Sequence, residues 1–313
     1  MPIQKGIHFN GLNGIRAICA LAVVVSHTSL ALNELGLIAG NLFGFAAYGV
    51  TAFFSLSGFL ITYLLIQEKD ITATVAVKKF YLRRILRIWP LYFGYLVIAV
   101  ITDVFIFHYT DFSSIGFYLF FFPNIPFAYY NAGITTVAPI LLLSHFWSLG
   151  VEEQFYAFYP WLIKIFKKIF TVLIMMFCIM MLLKVVAKFC SYKTGNPFWY
   201  ALIESMPFEA MAIGGLGAWF YKQHNKLVLK IIKIKFLQII ITAVIVLILI
   251  KQFKIVNPFA DIIISIMIVI VIYYAHLLEK PILTLKINTS ITLEKSLTVF
   301  MFIIHSLQDW LHY

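Results

Sequence analysis

Charge is scarce in this chain. Of its 313 residues 12% are Asp, Glu, Lys or Arg, and only 13 are acidic. Soluble globular domains carry about a quarter charged residues. With 62% hydrophobic residues and a mean hydropathy of +0.95, this chain has too little polar surface to cover a water-soluble fold. Cysteine is almost missing as well. Cys19, Cys178 and Cys190 have no metal-ligand or redox spacing, which excludes a zinc or iron–sulfur module built on cysteine, and no metal is expected. There is no low-complexity linker and no internal repeat, so repeat arrays are excluded and one domain is expected over 1–313. A cleavable signal peptide is also absent from the expected features. The first apolar run follows a polar stretch, lacks a small-residue cleavage site and contains His27.

What is present is a succession of apolar runs near the length that spans a bilayer, rich in aromatic residues suited to the two interfaces. Spans are expected at roughly 13–33, 43–66, 85–107, 141–163, 169–187, 203–221, 236–250, 258–278 and 291–311. Segment 115–127 is short and broken by proline, and reads as an interfacial or re-entrant piece. With the N-terminus in the cytoplasm, 17 of the 24 basic residues fall inside and four, Lys188, Lys193, Lys251 and Lys254, fall outside. That asymmetry follows the positive-inside rule. It accounts for the net charge of +11 without nucleic acid as a partner. The fold class expected is therefore all-α, a polytopic membrane bundle of about 9–10 helices with a cytoplasmic N-terminus.

Within so apolar a chain, each ionisable residue inside a span asks for a reason. Arg16 and His27 are eleven residues apart in the first span. Three helical turns return them to nearly the same face, ~16 Å apart along the axis, with His27 expected near the bilayer centre. Snorkelling for Arg16 and a hydrogen-bonded helix contact for His27 are the plain alternatives. Arg84 and Arg87 in "FYLRRILRIWPLYF" are neighbours on one helical face. They are either topology anchors or a guanidinium fork for phosphates. In "HFWSLGVEEQFYAFYPWL", Glu152 and Glu153 are adjacent and cannot both face one way, and Glu152 shares its face with Tyr156 and Tyr159. Ser55, Ser57 and Gly58 in "FFSLSGFL" read first as small residues for close helix packing.

Together these blocks resemble the membrane acyltransferase-3 family of integral-membrane O-acyltransferases. The similar segments, in order, are "GLNGIRAICALAVVVSH", "FFSLSGFLITYLL", "FYLRRILRIWPLYF" and "HFWSLGVEEQFYAFYP", with a weaker one in "FEAMAIGGLGAW". The resemblance implies transfer of an acyl group, usually acetyl from acetyl-CoA, to a hydroxyl of a carbohydrate or glycolipid in the cell envelope. It implies His27 as the catalytic residue, Arg16, Arg84 and Arg87 as the acyl-CoA-binding residues, and a bacterial inner membrane as the location. Glu152 is the candidate for orienting the imidazole. A multipass transporter or flippase with an Arg/His/Glu relay is the alternative from another class.

The resemblance fades toward the end. Where the family block reads roughly "GKISYGIYVYHS", this chain has "EKSLTVFMFIIHS" at residues 294–306. Codons for the family block, read one nucleotide later, spell "EKSLTVFMFII". The expectation is a chain out of frame from about Leu285, with 285–313 a doubtful tail.

Overall fold

A computed structural model describes residues 12–34, 36–37, 46–105, 108, 111–137, 139–143, 145–224, 230, 234 and 260–277. The expected spans 236–250 and 291–311 and the tail from Leu285 lie outside the described residues. The described part is an all-helical bundle, without strands among the described residues. Its elements are α1 (Leu12–Glu34), α2 (Ala46–Thr72), α3 (Val77–Phe105), α4 (Ile115–Leu119), α5 (Asn124–Asn131), α6 (Phe146–Ile165), α7 (Ile169–Thr194), α8 (Phe198–Glu204), α9 (Phe208–Lys222) and α10 (Ala260–Leu277). Helices α2, α3 and α7 are long and apolar enough to cross a membrane, and Gly14–Ser29 and Ala260–Tyr274 are shorter apolar stretches.

Most boundaries match the apolar runs, and the departures have local causes. Helix α3 begins at Val77, not near 85, so Arg83, Arg84 and Arg87 are helical residues. The short turn before it holds Ala73 at φ 60°. The expected span 203–221 is divided into α8 and α9 around Pro207, which has no N–H to continue a helix. Helix α7 stops at Gly195, whose φ of 69° is left-handed. Segment 115–127 forms the short helices α4 and α5, in keeping with an interfacial piece.

Helices α2 and α9 form the centre. They pack against each other, and α1, α7 and α10 surround them. Small residues permit the approach. A Cβ on Gly58 would overlap the Met211 carbonyl oxygen, and one on Gly214 the Ser55 carbonyl oxygen. This is the small-residue packing expected of "FFSLSGFL". Ser55 adds a hydrogen bond to the Ser265 carbonyl on α10.

A buried ionic cluster ties the same helices together near one end. Lys184 on α7, 4% exposed, lies 2.5 Å from Glu209 on α9, 3.6 Å from Asp261 on α10 and 4.0 Å from Glu204 on α8. Thr51 on α2 donates to Asp261 at 2.6 Å. Lys184 is tolerated inside an apolar helix because three carboxylates converge on it. The opposite end of the bundle carries the lysines and arginines of the α2–α3 and α6–α7 turns.

Candidate active site

Helix α1 packs on the Ala46 end of α2. A Cβ on Gly49 would touch Val23 and the Cys19 carbonyl, and the Ala46 N–H donates to the Ser26 hydroxyl at 3.2 Å. On α1, Ile18, Leu21 and Val25 form the exposed side. Arg16 and His27 stand together on another flank, about 20° apart around the axis, and both are half-buried. His27 adjoins Ser26, so it is level with the first turn of α2 and not with its middle. From that level α2 extends 27 residues toward the basic end.

A second layer of polar side chains lies further along α2. Ser57 donates to Glu152 of α6 at 2.5 Å. Ser57 is eleven residues beyond Ala46, so this layer is ~16 Å from the His27 level. Around α6 the two acidic neighbours separate as their adjacency requires. Glu152 turns to Ser57 on α2, whereas Glu153 interacts with Trp89 and the Arg84 charge of α3. One Glu153 oxygen, Oε1, is buried and accepts no hydrogen bond among the described residues. The Arg84 guanidinium carbon lies 4.1 Å from the centroid of Tyr156 and 5.7 Å from that of Phe80. Tyr156 also interacts with Glu152 and Ser57. The two aromatic rings hold the Arg84 cation in place beside Glu153. Arg87, one turn further on, is exposed.

The structure thus brings Arg84, Glu152, Glu153, Tyr156 and Ser57 together, and it brings Arg16 and His27 to one flank of α1. Arg16 lies ~16 Å along α1 from His27, and its neighbours Leu12 and Ile15 pack in one cluster with Leu56 and Phe59 of α2, so it stands near the level of the Ser57 layer. The packing joins Glu152 to the arginine layer and leaves it ~16 Å along the bundle from the His27 level. Orientation of the imidazole by Glu152 is not what this arrangement favours. Ser57 was legible only as a packing residue, because its partner is 95 residues away in sequence.

A family model described as an acyltransferase domain, acyltransferase 3, matches residues 9–307. The chain belongs to this family. Among curated relatives, the peptidoglycan O-acetyltransferase OatA of Listeria monocytogenes is 30% identical over 169 residues, covering 50% of this chain and 24% of that protein. The O-acetyltransferase OatA of Staphylococcus aureus (strain NCTC 8325 / PS 47) is 33% identical over 155 residues, covering 48% and 24%. A protein of Staphylococcus aureus (strain COL) is 32% identical over 163 residues, covering 50% and 25%. The chain therefore matches about a quarter of the length of these relatives. No solved structure matches.

Proposed function

We propose that this chain transfers an acyl group, most simply acetyl, from cytosolic acyl-CoA to a hydroxyl of a cell-envelope carbohydrate or glycolipid. It would do so as an integral protein of the bacterial inner membrane. The observation that carries the reading is the spacing of two layers. Arg84, over the Tyr156 ring, marks a cationic layer toward the basic end, with Arg16 near the same level, and His27 lies ~16 Å away along the bundle. Acyl-CoA has anionic phosphates at one end and a thioester at the end of a long pantetheine arm. Phosphates at Arg84 and Arg87 would direct the thioester past Arg16 toward His27.

In this mechanism neutral His27 accepts the proton of the acceptor hydroxyl as that oxygen attacks the thioester carbonyl. The tetrahedral intermediate collapses with cleavage of the C–S bond. The thiolate takes the proton from the imidazolium, and CoA leaves as the thiol. The ester remains on the acceptor, and no proton is gained or lost overall. Glu152 and Glu153 act one layer away, holding Ser57, Tyr156 and Arg84 in place for the donor. Peptidoglycan, which is in the printed name of the Listeria relative, is the first acceptor to try.

The test uses membranes containing the full chain, acetyl-CoA labelled in the acetyl group, and peptidoglycan fragments as acceptor. Label recovered in base-labile esters on the fragments is the expected result. Label that stays entirely in acetyl-CoA, with the protein folded and with other envelope glycans also tried, contradicts the reading.

A further inference from the structure

At the basic end, the α2–α3 turn, the start of α3 and the end of α6 enclose an open groove of about 570 Å³. Its walls are apolar, from Val77, Leu82 and Ile85 of α3 and Trp161 of α6. Its lips carry one lysine from each helix, Lys78 and Lys164, both exposed. Lys164 stands 5.3 Å from the Trp161 ring centroid. Leu82, Leu86, Trp161 and Ile165 are all exposed around it, so the groove faces outward from the bundle.

The nearby negative groups are already engaged. Glu68 accepts from the Ala76 N–H at 3.2 Å and lies 3.9 Å from Arg83, and Asp70 lies 3.3 Å from Lys222. The C-terminal carbonyls of α6 would present a negative dipole end here. Lys69 donates to those of Ile163 and Phe166 and satisfies them. Neither Lys78 nor Lys164 lies within ion-pairing distance of a carboxylate among the described residues. What remains is a cationic mouth above an apolar slot, beside an interfacial tryptophan.

We infer that this groove binds an anionic phospholipid, its phosphate between Lys78 and Lys164 and an acyl chain between α3 and α6. The competing phosphate ligand, the acyl-CoA donor, belongs to another flank of α3. At 100° per residue, Tyr81, Ile85 and Lys78 lie roughly 60–120° to one side of Arg84, and Arg87 lies about 60° to the other. The bound lipid would brace the α3–α6 junction, where Tyr81 donates to the Ala157 carbonyl beside the Arg84–Tyr156 pair. This inference does not depend on acyl transfer.

The test is native mass spectrometry of the full protein in detergent, titrated with phosphatidylglycerol and with phosphatidylcholine. Each surface lysine contributes roughly fivefold to attraction of an anionic lipid, so ~25-fold preference for phosphatidylglycerol is expected from the pair. The variant Lys78→Gln/Lys164→Gln should bring the two lipids close to parity. The variant Lys167→Gln/Lys168→Gln, which changes exposed lysines outside the groove, should keep most of the preference. A wild-type protein without preference, a groove variant that retains it, or displacement of the bound lipid by CoA would each overturn the proposal. Both variants alter exposed side chains, and an unchanged melting temperature checks that they fold.

Discussion

At the scale of single residues, the proposed reaction divides labour between two layers. Arg84 has its guanidinium over the Tyr156 ring, and Arg87 is its exposed neighbour. Loss of a charge-assisted hydrogen bond costs roughly 1.5–3 kcal/mol. Arg84→Ala and Arg87→Ala should therefore each weaken acyl-CoA binding roughly ten- to a hundredfold, as measured by equilibrium binding of labelled CoA ester. Arg84→Lys should recover only part, because an ammonium keeps the charge without the planar fork. Unchanged affinity in both alanine variants would return the arginines to the role of topology anchors. Ser57→Ala should leave Glu152 without its 2.5 Å donor and lower donor affinity more modestly. The shared flank of Arg16 and His27 was legible from helical periodicity alone. The partners of Glu152 and Lys184 were not, because both are set by packing between helices far apart in sequence.

At the scale of elements, two devices hold the bundle. The first is the α2–α9 contact. Gly58→Ala or Gly214→Ala places a methyl group against backbone that cannot rotate away, and each should prevent stable accumulation of folded protein. Normal abundance and melting of either variant would refute that contact. The second is the Lys184 cluster. Removing one partner of a buried pair costs about 3–5 kcal/mol, because the other charge is left buried. Lys184→Met should lower the melting temperature sharply, and Lys184→Met/Glu209→Leu should restore part of it. An additive loss in the double variant would show that the 2.5 Å pair is not what stabilises these helices. The apolar runs predicted the long helices well, since a spanning helix needs little beyond length and hydropathy. They predicted less well where proline divides a run, as at Pro207.

At the scale of the whole molecule, the proposed reaction requires a defined orientation in the membrane, with the arginine end facing cytosolic acyl-CoA. Cys190, exposed near the far end of α7, offers a native probe of the other side. In intact cells it should react with a membrane-impermeant maleimide, after Cys19 and Cys178 are replaced by alanine. A Lys78→Cys substitution at the basic end, in a chain with no other cysteine, should react only after the cells are opened. The reverse pattern would invert the orientation, and with it the side from which the donor must come. Charge asymmetry in the sequence is a guide to this orientation because each loop lysine or arginine is counted independently of the fold.

In the proposed reaction His27 serves as the base for acyl transfer at the end of the donor path. Its most direct test compares acetyl transfer from labelled acetyl-CoA by wild-type protein and by His27→Ala, reconstituted in liposomes at equal folded amounts with acceptor present. A positioned general base contributes roughly 10²- to 10⁴-fold to rate. A loss of at least that size is expected in the variant, with acyl-CoA binding retained through Arg84 and Arg87. Transfer by His27→Ala within roughly tenfold of wild type, below the range for general-base catalysis, would contradict it.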